Sequence, residues 1–218
     1  RRFMDMLFSQ ANRTYAQTLM LYEKILKQRN ECLRQINERR TTSRALSAWN
    51  DQLLETGFKI TALREEGLKI LGVEAAQTHQ ELTERNELLS VCYLSSFGKT
   101  RQEARQKLQE NEAHEIASQR TLFGPHRDDI YILVNERDAK AFASHGQQRT
   151  AMISLKMAEI RYLEQAFGER PIVLLDDILL ELDPSRFQAL LRTLFQQTQT
   201  IMTGTETHRF LSENKREV

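Results

Sequence analysis

Ile172-Val173-Leu174-Leu175-Asp176-Asp177 is the stretch on which the reading of this chain turns. Four consecutive apolar residues, opened by Pro171, suit a strand buried on both faces, as in a parallel sheet covered by helices. Two carboxylates then emerge at its carboxyl end, where open α/β sheets place their ligands. Hard oxygen ligands suit Mg²⁺, which takes one or two carboxylates and fills its shell with phosphate oxygens and water. Asp176 is therefore the candidate metal ligand. Asp177, directly after it, is the candidate to orient or deprotonate an attacking water. The same pattern arises when an Asp after a buried strand merely caps the next helix, so the neighbouring stretches decide between the two.

On the carboxyl side, Glu181-Leu182-Asp183-Pro184 reads as a helix start, with Asp183 as cap and Pro184 at the first helical position. A helix over 184–197 and a short strand over 198–203 follow. On the amino side, Phe142-Ala143-Ser144-His145-Gly146-Gln147-Gln148-Arg149 precedes a helix predicted over 147–167. A helix start offers free backbone N–H groups and a partial positive charge, so it suits phosphate. Ser144 adds a hydroxyl donor and Gly146 allows close approach to the backbone. An ordinary Ser N-cap would look the same. Gly146 lies 30 residues before Asp176, room for one helix and one turn. Further upstream, 88–97 reads as a strand, 101–118 as a charged helix and Gly124-Pro125 as a turn. Ile130, Ile132 and Val134 alternate as a strand over 129–135, with a turn at 136–138 and a hairpin partner at 139–142. Strand and helix alternating in this way indicate an α/β lobe with parallel strands.

The first 86 residues have a different pattern. Leu19, Tyr22, Ile25, Leu26, Cys32 and Ile36 recur near a 3.6-residue period, which predicts one helix over 9–39 with Ser9 as its cap. The polar run Thr41-Thr42-Ser43 interrupts it. A second helical stretch over 44–84 carries Leu46, Trp49, Leu53, Ile60, Leu63, Leu68 and Leu71. Gly57, Gly67 and Gly72 weaken it and are candidate breaks. Two such helices joined by a short link make an antiparallel hairpin or arm. The heptad pattern is not clean enough for a long coiled coil.

Composition bounds the function classes. The 218 residues are 40% hydrophobic and 28% charged, with three prolines and eight glycines, which fits long charged helices rather than disorder. The net charge of +1 gives no bulk argument for nucleic acid. Residues 1–50 hold ten Lys/Arg against four Asp/Glu, whereas 51–90 hold four against eight. The first segment either attracts phosphates or faces its acidic neighbour. Cys32 and Cys92 have no metal or disulfide spacing and suit a reducing cytosol. No apolar run approaches a membrane span of roughly 18 residues, and nothing resembles a signal peptide, so a cytoplasmic location is expected. The chain begins with Arg1 and reads as a fragment lacking an upstream portion. Gly98-Lys99-Thr100 looks like the end of a Walker A loop, but G-x-x-x-x-G-K-[ST] needs glycine where Tyr93 stands. His79, His114 and His145 lack metal-ligand spacing.

Taken together, Ser144-x-Gly146-Gln147, Leu174-Leu175-Asp176-Asp177 and Glu181-Leu182-Asp183 resemble, in this order, the signature, Walker B and D-loop motifs of ABC and SMC ATPases. Adding Gly124-Pro125-His126-Arg127-Asp128-Asp129, Gln148-Arg149-Thr150, Arg1-Arg2-Phe3, Gln28-Arg29-Asn30 and Trp49-Asn50-Asp51-Gln52-Leu53, nearly the whole chain is similar to the RecF family of bacterial DNA-repair proteins. The resemblance implies an α/β P-loop NTPase-like ABC/SMC head, present as its C-terminal lobe, plus an α-helical hairpin arm. The arm would span 1–86 and the head portion 87–218, with the Walker A lobe outside this chain. It implies ATP and Mg²⁺ as cofactors, with ATP sandwiched between two protomers. Ser144, Gly146, Gln147 and Asp183 would contact the nucleotide, Ser144 and Gly146 at the γ-phosphate held by the partner. Asp176 would serve Mg²⁺ and Asp177 the water. Many ABC ATPases carry Glu at the Asp177 position, so slow turnover is expected. The implied partners are DNA at gaps and junctions, RecR, RecO and a second copy of the chain, with no membrane. Of the positions after the last strand, Thr203 or Thr205 stands nearest the usual switch histidine, and His208 comes a few residues late. Two other readings are another SMC-like repair head and a non-catalytic helical adaptor. Gly124–Asp129 and the short arm disfavour the first; the intact Ser144, Gly146, Asp176 and Asp177 disfavour the second.

Overall fold

The computed structural model describes residues 1–84, 86–176, 184–195 and 199–203. They group into two compact units. The first comprises Arg1–Lys69 and Cys92–Ile130, the second Ile70–Val91 and Tyr131–Val218. The expected division at 86/87 follows the sequence, whereas compactness returns 92–130 to the first 69 residues. The reason is a set of long-range polar bonds described below.

In the first unit, α1 (Arg2–Ala11) and α2 (Arg13–Asn37) replace the single helix expected over 9–39. Asn12 is extended, at φ −138°, ψ 107°, and its side chain accepts from the Tyr15 N–H at 3.0 Å. Asn12, not Ser9, is therefore the cap, because its side chain satisfies an orphan donor that a continuing helix would not expose. A single 3-10 turn (Ser43–Ala45) leads into α3 (Leu46–Leu82), which runs through all three glycines unbroken. Packing explains two of them. A Cβ on Gly67 would lie 2.6 Å from the Phe8 ring, and one on Gly57 would strike the Phe97 ring. Phe8 and Phe97 are themselves buried. Gly72 has no such neighbour: a Cβ there would lie 3.9 Å from Val91 Cβ.

Two buried arginines hold this unit together. Arg29 donates to Asn50 Oδ1 at 2.8 Å, Thr121 Oγ1 at 2.8 Å and Glu115 Oε2 at 2.6 Å. Glu115 is equally buried, and its second oxygen accepts from the Leu122 N–H at 2.7 Å. Arg64 donates to Tyr15 Oη at 2.9 Å, the Pro125 carbonyl at 2.8 Å and Asp5 Oδ1 at 2.6 Å, with Asp128 Oδ2 at 3.5 Å. Burial works against the Arg64 charge, but Tyr15, Tyr93 and Asp5 hold its pKa above the ordinary value. Multiple bonds per guanidinium are what make burial of these charges tolerable. The helix expected over 101–118 is two helices, α4 (Arg101–Glu110) and α5 (Glu112–Ser118). Thr100 caps α4, accepting from the Glu103 N–H at 3.1 Å, and Gly98 sits at φ +93°. The Gly98-Lys99-Thr100 triplet is thus a helix-capping turn.

Strands β1 (Leu89–Leu94), β2 (Asp129–Val134) and β3 (Arg137–Asp138) form one sheet in that order, with β2 and β3 antiparallel. Ala139–Phe142, expected as a hairpin partner, is the short helix α6; the partner is β3. In the second unit, α7 (His145–Phe167) and α8 (Pro184–Phe195) accompany β4 (Val173–Asp176) and β5 (Thr200–Thr203). β4 and β5 are parallel, in register Val173↔Thr200 through Asp176↔Thr203. Leu82, Ile153, Met157, Val173, Leu190 and Leu194 form the core there. The strand is not buried on both faces, as its apolar run suggested. Val173 enters the core, while Leu174 is 72% exposed, so among the described residues only one face of β4 is covered.

Candidate nucleotide-binding site

Ser144 is the N-cap of α7 and forms a reciprocal capping box. Its Oγ accepts from the Gln147 N–H at 3.3 Å, and Gln147 Oε1 accepts from the Ser144 N–H at 2.9 Å. The simple capping role is therefore realised, yet it does not use up the site. The Ser144 hydroxyl hydrogen remains available to donate, since the cap employs only a lone pair. The N–H groups of His145 and Gly146 lie in the first helical turn, beyond reach of an intrahelical acceptor. Ser144, His145 and Gly146 are all exposed. A polar, exposed helix start with a hydroxyl and a glycine is chemically suited to a phosphate oxygen.

Behind this exposed turn lies a buried network. Gln147 Nε2 donates to Glu87 Oε1 at 3.3 Å. Glu87 Oε2 is 3.2 Å from His79 Nε2, and His79 Nδ1 is 3.1 Å from Ser154 Oγ. A neutral imidazole with its proton on Nε2 donates to Glu87, while the single Ser154 hydroxyl hydrogen lies between His79 Nδ1 and the Thr150 carbonyl, to which Ser154 Oγ donates at 2.8 Å. Burial holds the His79 pKa below its ordinary value, against the pull of Glu87. From α8, Arg186 Nη1 donates to Thr150 Oγ1 at 2.6 Å and to the Gly146 carbonyl at 3.3 Å. Sequence reading missed Glu87, His79 and Arg186. His79 and Glu87 are 8 positions apart, but their other partners and those of Arg186 lie 36 to 99 positions away, and no local motif marks them.

Asp176 ends β4 with an exposed carboxylate, and Thr203 Oγ1 donates to its Oδ1 at 2.5 Å. Thr203, one of the residues considered for the position after the last strand, thus meets the acid. Thr205 and His208 lie outside the described residues, as do Asp177 and Asp183. A groove of about 740 Å³ runs between α7 and β4, with His145 and Arg149 on one wall and Asp176 on the other. Among the described residues no three His, Cys, Asp or Glu side chains converge as a ready-made metal cage. The exposed Asp176 carboxylate fits Mg²⁺ in the mode that uses one carboxylate with phosphate oxygens and water.

The Gly124–Asp129 stretch is turned inward. His126 Nδ1 is 2.7 Å from Tyr22 Oη and its Nε2 3.0 Å from the Thr121 carbonyl, and burial holds its pKa down. Asp128 is buried, receiving the Ser96 N–H at 2.6 Å and the Tyr93 hydroxyl. Gly124, at φ +131°, provides backbone that other residues rarely adopt. Only Arg127 of this motif is fully exposed beside Asp129.

Curated relatives agree over almost the entire chain. The Heliobacterium modesticaldum "DNA replication and repair protein RecF" is 41% identical over 220 residues, covering 98% of this chain. The Bacillus subtilis protein of the same name is 41% identical over 217 residues, covering 94%. This chain belongs to the RecF family. It spans 59% and 58% of the lengths of those two RecF proteins. No protein-family model matches it. The solved structure of the recombination mediator protein RecF with ATP in the RecFOR pathway superposes at TM-score 0.85 and 31% identity, covering 95% of this chain and 57% of that one. The corresponding RecF–ATPrS structure gives TM-score 0.84. The fold is accordingly that of RecF over part of its length. Among the described residues no helix is long and apolar enough to cross a membrane.

Proposed function

We propose that this RecF-family chain supplies parts of two composite ATP sites in a dimeric DNA-repair clamp. The observation that carries the reading is the exposed, Ser-capped start of α7, with Gly146 in its first turn. In a dimer, Ser144 and Gly146, with Gln147 and Asp183, contact the γ-phosphate end of ATP held by the second copy. Asp176 binds Mg²⁺ in its own subunit, and Asp177 orients the attacking water. Mg²⁺, when bound, neutralises charge on the phosphoryl oxygens. Aspartate at 177 reaches less far than glutamate, consistent with slow, DNA-dependent hydrolysis. Residues 1–86 serve as the arm and 87–218 as the head portion.

Two facts support this reading: the repair-protein name shared by the relatives, and the ATP in the solved RecF structure. The activity belongs to a protein of the relatives' length, because these 218 residues hold no complete Walker A motif. ATP binding closes the cytoplasmic dimer on DNA at single-strand gaps and single-strand/double-strand junctions, and hydrolysis releases it. With RecR and RecO it helps load recombinase there. The test is ATP-driven dimerisation of the full-length protein, followed by sedimentation. Ser144→Arg places a bulky side chain in the interface and is expected to abolish dimerisation; normal dimerisation of that variant would overturn the reading. Asp177→Asn is expected to lower Mg²⁺-ATP turnover, and unchanged turnover would assign the base elsewhere.

A further inference from the structure

We propose that Arg186 is a positioning residue that aligns the nucleotide-contacting turn of α7 and couples it to the start of α8. The proposal rests on the reading of Ser144 and Gly146 given above. Arg186 is the third residue of α8. Its Nη1 reaches Thr150 Oγ1 at 2.6 Å and the Gly146 carbonyl at 3.3 Å, while Nη2 lies 3.8 Å from Glu87 Oε1. That Glu87 oxygen also receives Gln147 Nε2 at 3.3 Å, and Gln147 in turn holds the Ser144 N–H. Arg186 thus touches the turn directly at Gly146 and indirectly through Glu87 and Gln147. Thr150 is fully buried, and the Arg186 side chain is 24% exposed, so the tie is anchored on its inner side.

Helix stability alone does not account for a cation here. Positive charge in the first turn opposes the helix dipole, which favours anions at that end. The same charge is favourable once a triphosphate approaches, because it adds to the potential of the free N–H groups. Glu87 offsets the charge before the anion arrives and holds the guanidinium in place. The contact with the Gly146 carbonyl fixes the peptide plane adjoining the N–H groups that would meet phosphate. Because α8 begins directly after the Glu181–Asp183 stretch, a shift of α8 reaches Gly146 through one side chain. The role is one of orientation, since Arg186 acts through Gly146, Gln147 and Thr150.

The experiment compares Arg186→Ala, Arg186→Lys, Thr150→Val and Ser144→Arg in the full-length protein. It measures the ATP concentration for half-maximal dimerisation and the thermal midpoint of the nucleotide-free monomer. Losing hydrogen bonds to a charged group predicts an increase of about tenfold in that ATP concentration for Arg186→Ala. Arg186→Lys, which keeps the charge and one bond, is expected within about threefold of wild type, and Thr150→Val at about two- to threefold. The thermal midpoint of Arg186→Lys should match wild type, and that of Thr150→Val, which also loses the Thr150 Oγ1 bond to the Gly146 carbonyl at 2.9 Å, should fall without unfolding the monomer, so these two variants carry the test if Arg186→Ala folds poorly. Wild-type ATP dependence in Arg186→Ala or in Thr150→Val, with Ser144→Arg unable to dimerise, overturns the role of Arg186 alone. Normal dimerisation of Ser144→Arg overturns the signature reading and this proposal with it.

Discussion

Replacing Ser144 with aspartate separates the two tasks of this residue. As a cap, Ser144 accepts from the Gln147 N–H at 3.3 Å inside a reciprocal capping box. Aspartate caps as well as serine, and its charge suits the positive end of the helix, so folding stability should stay within about 0.5 kcal/mol of wild type. Alanine at the same position should cost about 1 kcal/mol. As a phosphate contact, aspartate does the opposite of serine. A carboxylate about 4 Å from a phosphate charge costs about 1 kcal/mol in a water-like medium and about 4 kcal/mol at an effective dielectric of about 20. At about 1.4 kcal/mol per tenfold, ATP-dependent dimerisation should weaken by between about fivefold and about a thousandfold. Urea denaturation reads the first effect and sedimentation with ATP the second. An aspartate variant that keeps both its stability and its dimerisation would show that Ser144 is a cap and nothing more.

The glycines of α3 give a test of opposite signs. Gly67→Ala gains about 1 kcal/mol of helix propensity but crowds the buried Phe8 ring at 2.6 Å, and overpacking of about 1–3 kcal/mol should leave it destabilised. Gly72→Ala meets only Val91 Cβ at 3.9 Å and should stabilise by up to about 1 kcal/mol; denaturant midpoints that move in the same direction refute the packing account. Glu115→Ala leaves the Arg29 guanidinium buried without its carboxylate and should cost about 3–5 kcal/mol, far more than a surface ion pair such as Arg105–Asp51. Acid should also weaken the fold through His79. Its folded pKa is lowered by burial, so the unfolded chain binds the proton more readily. The stability contribution is present above about pH 6.5 and is lost as pH falls below it. His79→Gln should flatten the fall in stability between about pH 7 and about pH 5.5, and an unchanged slope would assign the acid sensitivity to other groups, His126 among them.

Much of the architecture was legible because it depends on local patterns. The β4 strand, the helix after Ser144 and the alternation in 129–134 are periodicities within single segments, and each lies close to where it was expected. The errors fell where one side chain competes with propensity. Asn12 breaks the first helix by capping the second, and Asn111, whose Nδ2 donates to the Lys107 carbonyl at 2.8 Å, stands between α4 and α5, although no hydrophobic period changes there. Gly57 and Gly67 misled in the other direction. Glycine lowers helix propensity, but here it makes room for Phe97 and Phe8, and a packing need of that kind is invisible without the partner.

By itself, the sequence determined the candidate chemistry: a serine and a glycine at a helix start, an acid at a strand end, and their order and spacing. Those features follow from residue type and from neighbours a few positions away. Tertiary structure alone decided which groups stand behind them. It brought Arg186, Glu87, Thr150 and Gln147 together around the first turn of α7, and aimed the Thr203 hydroxyl at Asp176. It also turned His126 and Asp128 inward, against Tyr22, Tyr93 and Ser96, leaving Arg127 outside. The physical reason is range. Capping and periodicity act within one or two turns, whereas these bonds join residues 27 to 104 positions apart and exist only after the chain has packed.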